Sequence, residues 1–261
     1  MGKLLALVGA YLRANIAIAL EYRFSLVSQV TGMFVNDALW IGFWVLYFIK
    51  FPVLGGWTLE DVVVLWATLA LSWGLVTGLM SNAQRIPTLV VQGQLDYYLS
   101  LPKDVLLHLL ISQIRLVSFG DALFGVVVFL VFVKLTWVKV LVFLSATLLA
   151  SIVWLGLLIL SGSLTFYLGN SEAASGQIVS AVLHFASYPM PIFDNAVKLV
   201  LFTLLPAGLI SSVPVDLVRE FRWPLFLELL AGAGLFLGAG IWAFRRGLKR
   251  YESGNLMMMR S

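Results

Sequence analysis

The stretch VKVLVFLSATLLASIVWLGLLILSGSLTFYL (138–168) decides the fold. Lys139, near its start, is its only charge, and the rest exceeds the roughly 20 apolar residues that carry a helix across the hydrocarbon core of a bilayer. Working outward, further apolar windows lie at 26–49, 62–80, 116–133 and 225–244, with a weaker one at 173–187, so about six membrane-spanning helices are expected. Across all 261 residues 61% are hydrophobic and 11% charged, whereas soluble domains run nearer half apolar and a quarter charged. The runs are also too continuous for a transmembrane β-barrel, which alternates polar and apolar residues in pieces of about ten. The expected fold class is an all-α integral membrane protein built as one transmembrane domain.

The chain has no cysteine, which excludes disulfides and thiolate metal sites. Its net charge of +4 is better explained by orientation in the membrane than by a nucleic-acid partner. Lys and Arg accumulate on the cytoplasmic side. With the N-terminus inside and six crossings, eleven of them fall inside, and six (Lys50, Lys134, Lys139, Lys198, Arg219 and Arg222) fall outside. The cluster RRGLKR (245–250) follows the last window and opens a cytoplasmic tail, 245–261, so both termini are expected in the cytoplasm.

Residues 1–24 are apolar but interrupted by Arg13, Asn15, Glu21 and Arg23. Leu5, Val8, Leu12, Ile16 and Leu20 fall near one helical stripe with Arg13 off it, which fits an amphipathic helix lying on the inner leaflet. A cleaved signal peptide is the rival reading, but Arg13 breaks its apolar core and no clean cleavage site follows.

Two segments do not read as simple spans. SNAQRIPTLVVQGQLDYYLSLPKDVLLHLLISQIR (81–115) is too polar for lipid, yet patterned like folded structure, and in the assigned topology it is a cytoplasmic loop between spans two (26–80 holding the first pair) and three (116–187 holding the next three). Residues 188–213 contain Pro189, Pro191 and Pro206, with Pro214 just beyond. Proline removes a backbone donor and clashes with the preceding turn, so two short helices that dip into the outer leaflet and return are expected before the last span at 225–244. The alternative is a kinked span in which Asp194 and Lys198, four residues apart, pair on one face.

This arrangement resembles the permease subunits of bacterial type-2 ABC exporters, the ABC-2 family transporter proteins. The resemblance rests on GQLDYYLSLPKDVLLHLL (93–110) and YPMPIFDNAVKLVLFTLLPAGLISSVP (188–214), and its general pattern covers nearly the whole chain. It implies a plasma-membrane protein in which two permease chains, identical or homologous, form the pathway above two ATPase subunits that bind ATP and Mg. No GxxxxGK[ST] phosphate loop occurs in this sequence, so no cofactor and no ATPase activity are expected of the chain itself. The loop and the N-terminal helix would then be docking surfaces. Gly93 and Pro102 bracket a short piece in which Asp96, with Arg85 and Lys103 flanking, would make charged contacts, and Tyr97, Tyr98 and Leu99 would form an apolar anchor. The other reading of these residues is solvated charge and aromatics lying on the membrane surface.

Within the spans, Asn36 and Asp37 are the clearest polar positions, since a charge at the bilayer centre costs about 3 kcal/mol even on lenient scales. They mark a substrate path or a seam between permeases, or else Asp37 is simply neutralised by protonation or by a neighbour. Asp121 and Glu228 lie close to span ends, where reaching the interface is cheap. Gly232, Gly234, Gly238 and Gly240, and Gly156 and Gly162, suggest close helix packing. His108 and His184 are isolated and read as a surface and a packing histidine, and neither HExxH nor GxSG is present. A self-sufficient secondary transporter or channel is the alternative function, but such proteins often show matching broken helices in both halves, and only one broken region is visible.

Overall fold

Backbone amides and carbonyls find no water in a bilayer core, so a chain this apolar satisfies them within helices. The computed structural model describes the backbone of residues 2–251 and the side chains of residues 7–251, and the expected tail beyond 251 lies outside the described residues. Helices α1 (Gly2–Glu21) and α2 (Arg23–Lys50) are separated by a break at Tyr22. After a turn, α3 (Leu59–Leu79) begins in a capping box formed by Thr58 and Asp61. Three short helices follow, α4 (Ile86–Val91), α5 (Leu95–Leu99) and α6 (Val105–Ile111), and then α7 (Phe119–Phe132). The second half comprises α8 (Trp137–Ser163), the single turn α9 (Thr165–Leu168), α10 (Glu172–Ala186), α11 (Asn195–Thr203), α12 (Ala207–Ile210), α13 (Ser212–Arg219) and α14 (Trp223–Leu248).

Among the described residues, four stretches are each long and apolar enough to cross a membrane, namely α2, α3, α8 continued by α9, and α14. They coincide with four of the expected windows to within a few residues. The window at 116–133 forms a 3-10 turn, Leu116–Ser118, leading into α7, and the weak window at 173–187 forms α10. With 15 residues α10 is about 22 Å long, yet it joins the two ends of the bundle. At the 81–115 end, the Thr88 hydroxyl donates to the Glu172 carboxylate over 2.9 Å. Just past the other end of α10, Pro191 sits on Gly55, whose φ is +57° and where an added Cβ would stand 2.5 Å from the proline Cβ.

α3 and α8 are the buried pillars, whereas α2 and α14 are largely exposed on their outer faces. Small residues set the closest approaches. Between α8 and α14, an added Cβ on Gly156 would fall 2.4 Å from the Leu237 amide nitrogen, and one on Gly240 would fall 2.7 Å from the Gly156 carbonyl oxygen. Between α3 and α7, Gly74 and Gly125 play the same part, each 2.5 Å from opposing backbone by that measure. Of the other glycines in α14, Gly232 packs on Leu209 while Gly234 and Gly238 face open space, and Gly162 of α8 packs on Ile86.

Residues 188–219 leave the 51–57 end and return to it. Tyr188 enters beside Trp44, with ring centroids 6.2 Å apart, and Arg219 leaves bonded to Asp61 and to the Gly56 carbonyl. In between, α11 and the α12–α13 segment are bent by 75° where Pro206 interrupts them. Pro189 and Pro191 shape the 3-10 turn Met190–Ile192. Pro214 divides nothing, because it lies in the first turn of α13, where an amide has no intrahelical acceptor to lose. Asp194 caps α11 by accepting the Val197 N–H over 2.8 Å, and among the described residues it forms no ion pair with Lys198.

Candidate functional site

An open groove of about 670 Å³ runs between α2, α3, α7 and α10. Gln29, Met33, Asn36, Asp37 and Trp40 line it from α2, spaced by three and four residues so that one helix face supplies them all. Trp66 and Trp73, two turns apart on α3, form the opposite wall. Arg115 lines it at the 81–115 end, Asp121 from the first turn of α7, and His184 from α10. Asn36 donates to Asp37 over 3.3 Å. Trp40 lies over Trp66 with centroids 5.4 Å apart and planes 19° from parallel, and Trp73 meets Trp154 edge to face. The His184 Nδ1–H donates to the Ser180 carbonyl over 2.6 Å. The Asp121 residue is 6% exposed, and among the described residues its carboxylate accepts no hydrogen bond and enters no ion pair. The charges nearest to it are Asp37 and Arg115.

The second cluster is the folded platform at 81–115. Its base is tied across itself, since the Ser81 amide donates to the Gln113 carbonyl over 3.3 Å and the Arg115 amide to the Gly78 carbonyl over 2.8 Å. Asn82 is buried and holds the interior together, donating to the Leu109 carbonyl at 3.1 Å and the Ser112 hydroxyl at 2.8 Å. Gly93, with φ +69°, makes the reversal between α4 and α5. Helix α1 closes over the platform through Tyr11, whose hydroxyl lies 2.6 Å from His108 Nε2, and through Asn15, which donates to the Ser112 carbonyl. Burial, and after it the Lys103 charge, hold the His108 ring below its ordinary value near 6.5, so the pair is a neutral one. Burial and the neighbouring Tyr97 push the Tyr11 phenol up.

The platform divides the expected docking residues into two groups. Tyr97, Leu99, Pro102 and Lys103 point outward. Tyr98 is buried, with its hydroxyl 2.9 Å from Ser112, and Arg85 donates to Gln113 and Asn82. Asp96 stands beside Tyr251, whose phenol is raised by burial first and by that carboxylate second. These three are occupied within the chain. Asn36 and Asp37 do face the groove, together with residues that the sequence alone did not single out. Asp121 is near a helix start, but Gly74 and Gly125 bring α7 so close to α3 that its first turn is enclosed. His184 is exposed to the groove instead of packed between helices. Trp66 and Trp73, seven residues apart and so on one face, were the available signal. Among the described residues no three His, Asp or Glu side chains are placed to hold a metal.

The family model described as ABC-2 family transporter protein matches residues 34–254, a range that includes the platform, the returning segment 188–219 and the groove lining from Asn36 onward. No curated protein and no solved structure matches the chain.

Proposed function

This chain belongs to the ABC-2 family of transporter proteins and is a membrane permease, and from that premise we propose that it forms half of the pathway of an ATP-driven exporter. A second permease chain, identical or homologous, supplies the other half. Two separate ATPase subunits bind the ATP and Mg and dock under the 81–115 platform. The complex sits in a bacterial plasma membrane with both termini of this chain in the cytoplasm, with six crossings made by α2, α3, α7, α8, α10 and α14 and with 188–219 re-entrant.

The observation that carries this reading is the construction of the platform. It is pinned by backbone hydrogen bonds to the last turn of α3 and to the entry into α7, the two helices that wall the groove and touch at Gly74 and Gly125. A push on its exposed face at Tyr97 and Leu99 is therefore delivered to both walls. Interfaces draw most of their energy from a few such aromatic and apolar anchors.

Affinity purification of the chain from its native membrane in mild detergent tests the reading. A P-loop ATPase is expected at about one-to-one ratio, and Tyr97→Asp with Leu99→Asp should release it while the amount of folded permease stays constant. A chain recovered alone, under conditions that keep a known ABC complex intact, returns the reading to a self-sufficient secondary transporter.

A further inference from the structure

We infer that the groove between α2, α3, α7 and α10 is a binding site for an organic cation with aromatic or flat apolar substituents. Calling that ligand a substrate rests on the exporter reading; the binding itself does not.

Three observations converge on that chemistry. The first is an incomplete charge balance. Asp37 and Asp121 face the groove, and the ionisable groups opposite them are Arg115 and the imidazole of His184. With both carboxyl groups ionised, the one guanidinium leaves the groove net negative, and no lysine is among its described lining residues. A carboxylate among membrane helices is retained where it has a partner or a task, and Asp121 is enclosed and accepts no hydrogen bond among the described residues.

The second is the wall. Trp40, partly exposed, is backed by the stacked ring of Trp66, and Trp73 lines the groove two turns along α3. The electron-rich face of an indole attracts a cation and accepts a flat apolar group, and tryptophan is the strongest of the aromatic side chains in this respect. The third is size. About 670 Å³ lies within the range of sites that enclose a drug-sized molecule. The groove extends from Gln29 and Arg115 near the platform to Trp40 and Trp66.

Two ions of one shape and opposite charge test this directly. At pH 8, purified full-length chain in detergent is titrated with tetraphenylphosphonium and, separately, with tetraphenylborate, following tryptophan fluorescence and equilibrium dialysis. Saturable phosphonium binding is expected, with the borate at least about tenfold weaker, a tenfold ratio being the effect of about 1.4 kcal/mol. Asp37→Asn and Asp121→Asn should each weaken the phosphonium by about tenfold, Asp121→Glu should retain it, and Trp40→Leu, at a partly exposed position that does not threaten folding, should weaken it severalfold. Borate binding as tight as phosphonium in the wild-type chain overturns the proposal, whatever the variants do. So does phosphonium binding that is undiminished in folded Asp37→Asn and Trp40→Leu proteins. An ATPase that co-purifies with a chain showing no charge preference sinks this inference and leaves the exporter standing; a phosphonium-selective chain that purifies alone does the reverse.

Discussion

Arg219 closes the 51–57 end of the bundle. Its guanidinium donates to both oxygens of Asp61 and to the Gly56 carbonyl, and it lies 5.3 Å from the centre of the Trp57 ring. Asp61 in turn accepts the Thr58 amide and hydroxyl, both at 2.7 Å, so one carboxylate joins the start of α3 to the end of α13. Arg219→Ala leaves that carboxylate enclosed with only Thr58. The expected cost is about 2 kcal/mol, below that of a fully buried pair because the Arg219 side chain is 35% exposed. Thermal unfolding in detergent reads it, and Arg219→Lys should recover less than half because an ammonium cannot form the paired bonds. A second residue-scale expectation concerns pH. His108 has a folded-state pKa below its ordinary value near 6.5, so the unfolded chain binds the proton more readily. The stability of the Tyr11–His108 tie is therefore complete above about pH 6.5 and declines as pH falls toward the lower folded value. The difference in melting temperature between wild type and His108→Gln should shrink from pH 7.5 to pH 5; a constant difference would remove the neutral pair from the account. Neither partner in these two ties could be paired from sequence, since 158 residues separate Asp61 from Arg219 and 97 separate Tyr11 from His108.

At the scale of elements, α8 and α14 meet through glycine. Leucine at Gly156 or Gly240 drives a side chain into the opposing backbone, which cannot yield as a flexible side chain would. Each is expected to cost at least about 1–3 kcal/mol, the range for overpacking, or to abolish folding. Gly238→Leu, on the open face of the same helix, should leave the chain intact. Size-exclusion profiles of the three variants separate these outcomes, and equal behaviour would mean that the close approach is not what holds α14. The sequence marked Gly232, Gly234, Gly238 and Gly240 alike, because composition does not say which face of a helix has a neighbour. Gly74 and Gly125 carry no such cluster in the sequence, yet they set the α3–α7 contact and enclose Asp121. Pro189 and Pro191 lie in the 3-10 turn and Pro206 between two bent helices, whereas the first turn of α13 accommodates Pro214 without a break.

For the whole molecule, the expected orientation can be tested because the chain lacks cysteine. Ser100 and Thr136 are both exposed and lie at opposite ends of the bundle. In intact cells Ser100→Cys should resist a membrane-impermeant thiol reagent and Thr136→Cys should react with it. A reactive Ser100→Cys inverts the topology and moves the platform, with its proposed ATPase, to the wrong side of the membrane. The two ends also carry their own ion pairs. Lys139–Glu60 and Arg219–Asp61 lie at one end, and Arg245–Asp104 at the other. Those salt bridges sit where solvent or headgroups are near, while Asp37 and Asp121 lie between them in the groove with no ion pair among the described residues.

The sequence alone determined that the protein is an all-helical membrane permease, where its long helices begin and end to within a few residues, and that proline breaks the helices of 188–213. These follow from hydropathy, from backbone groups that must be satisfied within helices, and from proline, all of which act along the chain over a few turns. Tertiary structure decided the rest. Asp121 became part of a site because two glycines let α7 lie against α3, and Trp40 reached Trp66 because α2 packs beside α3. Asp96, Arg85 and Tyr98 have neighbours within the chain, Tyr251, Gln113 and Ser112, that the sequence could not assign. Such partners are distant in the chain, and only packing brings them together.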